Sequence, residues 1–125
     1  MIRYKFQKEN KYKAKKVPVF LKEVVIYKQK PKTGTIVFPS QHEADRFFEL
    51  QMLLRAGKIK NLRLQEPFVI VPKSRFGMAL KYFADFVYEE DGKTVVEDAK
   101  GVETDVYRLK KRLVAEKYGI VIRET

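Results

Sequence analysis

The sequence predicts a mixed α/β domain in which a central β-sheet is flanked by helices. Strand-like segments at 17–38, 61–71 and 80–100 alternate with helix-like segments at 40–57 and 104–118. A chain of 125 residues forms one ordinary domain and buries a core without disulfide or metal staples. Its 45% hydrophobic and 34% charged residues are the balance of a soluble globular protein.

Taken in order, residues 1–16 (MIRYKFQKENKYKAKK) read as a basic arm ahead of a single domain spanning 17–125. Arg3, Lys5, Lys8, Lys11, Lys13, Lys15 and Lys16 face only Glu9, with Tyr4, Phe6 and Tyr12 interleaved. Such an arm is a solvated tail, or it neutralises phosphates with aromatic rings available for stacking. The two roles are compatible, because arms of this kind order on binding. The segment lacks the apolar core of a signal peptide.

Residues 17–38 read as a hairpin: Val17 to Tyr27 is rich in β-branched residues, and Thr35 to Phe38 is strand-like again. The loop KQKPKTG separates the two with three lysines. Residues 40–57 read as a helix. Ser40 is its N-cap, and Glu43 stands three residues on as the capping-box partner. Ala44, Phe47, Phe48, Leu50 and Leu54, with Met52 nearby, supply a broad apolar face, and Gly57 is the stop. Residues 61–71 read as extended, with Pro67 at a bend or an edge. Leu80 to Glu90 and Lys93 to Lys100 form two strands around Asp91-Gly92, a strong two-residue turn signal. A second helix covers 104–118, capped by Thr104, with Val106, Leu109, Leu113 and Val114 as its core positions. Gly119 ends it, and Ile120 to Arg123 is a short closing strand.

Charge and missing residue types narrow the function. Lys and Arg total 27 against 16 acids, a net charge of +11 that points to a polyanion, foremost nucleic acid. With no cysteine, disulfides, thiolate zinc sites and cysteine nucleophiles are excluded. A single histidine, His42, argues against a His-based metal centre or a Ser–His dyad. No apolar run approaches the ~20 residues of a membrane span. The expected partner is therefore DNA or RNA in the cytoplasm, with neither a membrane nor a small-molecule substrate.

The hairpin at Asp91-Gly92 allows a register to be read. With a two-residue turn, Glu90 faces Lys93, Tyr88 faces Val95 and Asp85 faces Asp98. Like charges directly opposite each other destabilise a sheet. Their neighbours are apolar, with Phe83, Ala84, Phe86 and Val87 on one strand and Val95, Val96 and Ala99 on the other. Lys100 shares the parity of Asp98, whereas Glu97 points the other way. One lysine does not neutralise two buried carboxylates, but a divalent cation does, and Mg²⁺ prefers one or two carboxylates with water and substrate phosphate. An exposed salt-bridge cluster is the plainer reading of the same residues.

Asp85, followed by VVEDAKG with Asp98 and Lys100, resembles the PD-(D/E)XK nuclease signature. The order of elements is similar too, and Glu43 in SQHEADRFFEL matches the acidic residue of that superfamily's first helix. Residues 40–118 resemble small phage-encoded, Holliday-junction resolvase-like endonucleases. The resemblance implies a restriction-endonuclease-like core and Mg²⁺- or Mn²⁺-dependent hydrolysis of DNA phosphodiesters to 5′-phosphate and 3′-hydroxyl ends. It implies Asp85 and Asp98 as metal ligands, Glu43 as a supporting ligand and Lys100 as the residue that positions water or stabilises the transition state. Ala84 departs from the motif's proline, and Glu43 also has a complete explanation as a capping residue.

On the second helix, Tyr107, Arg108, Lys110 and Lys111 join Lys11, Lys13, Lys15 and Lys16 as expected DNA contacts, with Tyr107 or Lys110 beside the lysine. A small domain with little base-reading machinery favours branched DNA such as a four-way junction, cut by a two-fold homodimer. Val24 to Ile26 or Phe68 to Val71 are the apolar segments such a dimer can use, unless they are core. The alternatives are a restriction-type, nicking or transposition-associated enzyme of the same superfamily, and a non-catalytic basic nucleic-acid-binding domain.

Overall fold

The structure, a computed structural model, describes residues 14–28, 34–99 and 103–125. The elements run β1 (Lys15–Pro18), β2 (Val25–Ile26), β3 (Thr35–Phe38), α1 (Gln41–Arg55), β4 (Lys60–Val71), β5 (Leu80–Glu90), β6 (Lys93–Asp98), α2 (Asp105–Tyr118) and β7 (Arg123–Glu124). This is a mixed α/β fold. A five-stranded sheet has the order β2-β4-β5-β6-β7, and β1 and β3 form a separate antiparallel pair. The outer strands β2 and β7 run parallel to β4 and β6, and the central pairings are antiparallel. Among the described residues no helix is long and apolar enough to cross a membrane.

Local chemistry sets the boundaries. Ser40 accepts a hydrogen bond from the Glu43 amide at 3.2 Å and starts α1. Thr104 does the same for the Tyr107 amide at 3.1 Å and starts α2. Left-handed Gly119 (φ 69) ends α2 by returning its amide to the Ala115 carbonyl. Asp91 (φ 53) and Gly92 (φ 76) take the left-handed pair of a type I′ turn, so β5 and β6 form the expected two-residue hairpin.

Two apolar clusters fill the core. Phe47 and Leu50 of α1 pack with Ile36, Phe38, Leu62, Leu64, Phe86 and Tyr88. Tyr107 and Val114 of α2 pack with Ile70, Tyr82, Ala84, Val87, Val96 and Ile122. The clusters exchange strands at one level. Leu62 and Leu64 belong to the first while Phe68 and Ile70 belong to the second, although plain alternation would give all four one face. Left-handed Gln65 (φ 58) lies between them and re-aims the strand. On β5 the same exchange falls between Ala84 and Phe86, at Asp85.

Three sequence expectations are corrected. Val17 to Tyr27 is not one strand. β1 ends at Pro18 and pairs with β3, whereas β2 joins the main sheet beside β4, an assignment that only tertiary pairing determines. Val106 and Leu109 are exposed at 62% and 59%, because the buried stripe of α2 follows Tyr107 and Val114, seven residues apart, and these two stand off it. The closing strand is Arg123–Glu124, later than 120–123, and Ile122 is core. The 29–33 part of the lysine loop and most of the basic arm lie outside the described residues.

Candidate metal-binding site

Asp85 and Asp98 come together at the end of the β5–β6 hairpin. The regular pairing stops at Phe86 with Glu97, and Asp85 and Asp98 are the next residues along. There the Asp85 carboxylate takes over from the ladder, its Oδ2 accepting from the Ala99 amide at 2.9 Å. Its Oδ1 receives the side-chain amide of Gln65 across from β4 at 3.4 Å. Asp98 is buried, and its Oδ2 accepts from the Tyr82 hydroxyl at 2.7 Å.

Glu43, also buried, projects from the first turn of α1 and is close enough to act on Asp85 electrostatically. Burial chiefly pushes the Asp85 carboxyl up to about 9, with a hydrogen bond shared with Asp98 and the negative charge of Glu43 adding to it. Burial and the Asp98 carboxylate also hold the Tyr82 hydroxyl well above its ordinary range. Burial, Asp98 and the charge of Glu43 thus together disfavour the ionised form of Asp85.

The donor set is hard oxygen, the chemistry that Mg²⁺ and Mn²⁺ select. It is not a closed cage: among the described residues no group of three or more His, Cys, Asp or Glu is arranged to hold a metal ion by itself. Two carboxylates with water and a substrate phosphate are the usual surroundings of Mg²⁺, and the residues present fit that pattern.

The other expected residues fall as follows. Lys100, Lys11 and Lys13 lie outside the described residues. Lys15 and Lys16, counted with the arm, sit in β1 opposite Phe38 and Val37. Tyr107 is buried, and its hydroxyl donates to Glu124 Oε2 at 2.9 Å, where Lys111 Nζ also donates at 3.0 Å. Those two hydrogen bonds hold the Glu124 carboxyl below its usual range. Arg108 is paired with Asp105 and Glu103 on the surface of α2, and Lys110 is half-buried. His42 Nε2 lies 2.7 Å from the Thr125 carbonyl.

Two groups escaped the sequence reading. Tyr82 and Gln65 touch the aspartates, yet neither is predictable from parity. The residue opposite Asp85 on β4 depends on a register that shifts between Val69 and Val71, before the turn at 74–77. The second group is Glu97 with Arg46. Glu97 does point away from Asp98, as its parity predicts, but it is fully buried and meets the Arg46 guanidinium at 2.9 and 2.6 Å. Tyr88 donates to the same carboxylate, and Arg123 donates to the Tyr88 hydroxyl at 3.2 Å. Arg46 follows Glu43 by one helical turn and Glu97 adjoins Asp98, so this clamp fastens α1 to β6 beside both acids.

The family described as "Protein of unknown function (DUF1064)" matches residues 9–124. The chain belongs to that family. The matched span of this DUF1064 chain takes in both helices, the whole five-stranded sheet and the three acids. No curated protein and no solved structure matches it.

Proposed function

We propose that the chain is a metal-dependent endonuclease acting on branched DNA, with a restriction-endonuclease-like core and the PD-(D/E)XK arrangement of acids. The observation that carries this reading is the juxtaposition of Asp85 and Asp98 at one end of a hairpin, with Glu43 of α1 within electrostatic reach of Asp85, in a chain of net charge +11. Two acids placed together against the charge of the whole molecule, with the proton affinity of Asp85 raised, serve a cation better than they serve the fold.

Asp85 and Asp98 hold Mg²⁺ or Mn²⁺, and Glu43 supports it from α1. The bound cation supplies Lewis-acid stabilisation of charge on the scissile phosphate. Tyr82 and the Ala99 amide orient the two aspartates, and Gln65 fixes the free edge of Asp85. Lys100, in the position of the motif's lysine, orients the attacking water. The basic residues of α2 and the N-terminal segment meet the phosphate backbone, and a two-fold homodimer supplies paired cuts across a four-way junction.

The test is cleavage of labelled four-way junction, Y-form, duplex and single-stranded DNA with Mg²⁺, Mn²⁺ or EDTA. Cutting of branched substrates with metal, abolished in Asp98→Asn while DNA binding persists, is the expected result. No cleavage of any substrate with either metal overturns the enzyme. Duplex cut at least as fast as the junction overturns the preference for branches.

A further inference from the structure

We propose that the turn joining β4 to β5 is a stacking wedge that engages unpaired bases at a DNA branch point. The inference rests on the nucleic-acid reading above and adds a recognition element to it. The turn is built, not slack. Ser74 and Gly77 exchange both backbone hydrogen bonds at 3.0 and 3.2 Å, and the Phe76 amide donates to Ser74 Oγ at 3.1 Å. The Arg75 guanidinium lies over the Phe76 ring, 4.8 Å from its centroid. Held this way, Phe76 is 84% exposed and Met78 78% exposed. A fixed turn that holds an aromatic ring and a thioether out into solvent is placed to stack against a partner.

The surroundings specify that partner. No acid occurs between Glu66 and Asp85, whereas Lys73, Arg75 and Lys81 are all exposed around the tip. An apolar pair inside a positive rim complements a polyanion with π-faces, which is nucleic acid. A protein partner needs roughly 800 Å² of contact surface, and one narrow turn with two apolar side chains offers far less. Within a duplex the bases are stacked on each other, and a wedge must first separate them. At a branch point unstacked faces are already available.

The wedge is also coupled mechanically to the acids. Tyr118 donates to the Val69 carbonyl at 2.7 Å and Lys117 to the Ile70 carbonyl at 3.2 Å, which braces the base of the turn. The rings of Tyr118, Phe68 and Tyr82 pack in succession at 5.6 and 6.3 Å, and the Tyr82 hydroxyl ends on Asp98. Leu80 and Asp85 are separated by about 17 Å of extended strand. A base held by Phe76 therefore lies a fixed few nucleotides from the phosphate at the acids.

The experiment is equilibrium binding in EDTA, where nothing is cut, of the full chain to a four-way junction and to a linear duplex of equal length. The junction carries 2-aminopurine at its centre. The wild type is expected to prefer the junction and to change the 2-aminopurine fluorescence. Phe76→Ala is expected to weaken junction binding by about 5- to 150-fold, the loss of one base–aromatic stack, and to abolish the fluorescence change. Phe76→Tyr, which keeps the ring, retains both. A Phe76→Ala chain with the wild-type preference overturns the wedge, as does a wild type with no preference. Altered self-association with unaltered DNA binding assigns the turn to a protein contact and overturns it too. A wild type that prefers junctions through Phe76 yet cuts nothing with Mg²⁺ or Mn²⁺ overturns the nuclease and leaves the wedge standing.

Discussion

Glu97 and Asp98 are consecutive, both buried, and treated in opposite ways. Glu97 meets the Arg46 guanidinium in a two-pronged ion pair, with the Tyr88 hydroxyl and, at 4.0 Å, the Arg123 guanidinium beside it. Asp98 meets a neutral hydroxyl and, on Asp85, a second carboxyl. The first arrangement pairs a buried carboxylate with a guanidinium, and it raises the proton affinity of Arg46. The second concentrates acids so that Asp85 prefers to keep its proton. Two neighbours on one strand thus separate an acid paired with a guanidinium from one set beside another acid. The sheet makes the separation possible, because successive side chains face opposite sides.

The largest effect expected from breaking this contrast is on the structural side. Arg46→Met leaves the Glu97 carboxylate buried without its guanidinium, and loss of one partner from a buried pair costs about 3–5 kcal/mol. Urea denaturation checks the value. The double variant Arg46→Met with Glu97→Leu is expected to recover most of the stability, since replacing both partners removes the uncompensated charge. A single variant as stable as the wild type would remove the clamp from the account of how α1 is held to β6.

The opposite sign is expected at Asp85. Its folded proton affinity lies above that of the unfolded chain, so its contribution to stability is fully present below the unfolded value, near 3.8, and is lost as pH rises through about 9. In EDTA the wild type should therefore melt at progressively lower temperature across that window. Asp85→Asn keeps the shape without the titration. It should flatten the slope and gain about 1–3 kcal/mol at pH 8 while losing metal-dependent activity. Thermal melts at several pH values, with and without Mg²⁺, check this. Mg²⁺ should raise the wild-type melting temperature, by about 2.7 kcal/mol of stability at a hundredfold excess over its dissociation constant, and leave the variant unmoved. A wild-type slope equal to that of Asp85→Asn would sink the account of the acid cluster.

How much of this was readable beforehand follows from how far each signal travels along the chain. Asp91 and Gly92 demand positive φ, so the turn and the register beside it are local facts. Asp85 and Asp98 lie only six residues from the turn and inherit that register. Ser40 and Thr104 announce their helices in the same way, through one side-chain bond each. β2 is different: two residues become a strand only because β4 lies beside them. The buried face of α2 departs from its apolar pattern: Val106 and Leu109 are more apolar than Tyr107, yet it is Tyr107 whose ring fits the sheet and whose hydroxyl finds Glu124. The partners of the aspartates were out of reach for a third reason. Left-handed Gln65 shifts the facing of a long strand, and nothing in its side chain announces that conformation.

The smallest effect tests that last point. Tyr82 differs in parity from Asp85, and its contact with Asp98 exists only because the packing faces exchange at Asp85. Tyr82→Phe keeps the ring against Phe68 and Tyr107 and removes one hydroxyl. The expected loss of stability is about 0.5–1.5 kcal/mol, the ordinary worth of one buried hydrogen bond. Without that donor Asp98 is less restrained, so the concentration of Mg²⁺ needed for half-maximal melting shift should rise, with the maximal shift preserved. A purely packing role for Tyr82 moves the melt alone and leaves the Mg²⁺ midpoint where it was. The midpoint is therefore the measurement that decides whether Tyr82 belongs to the core or to the acids.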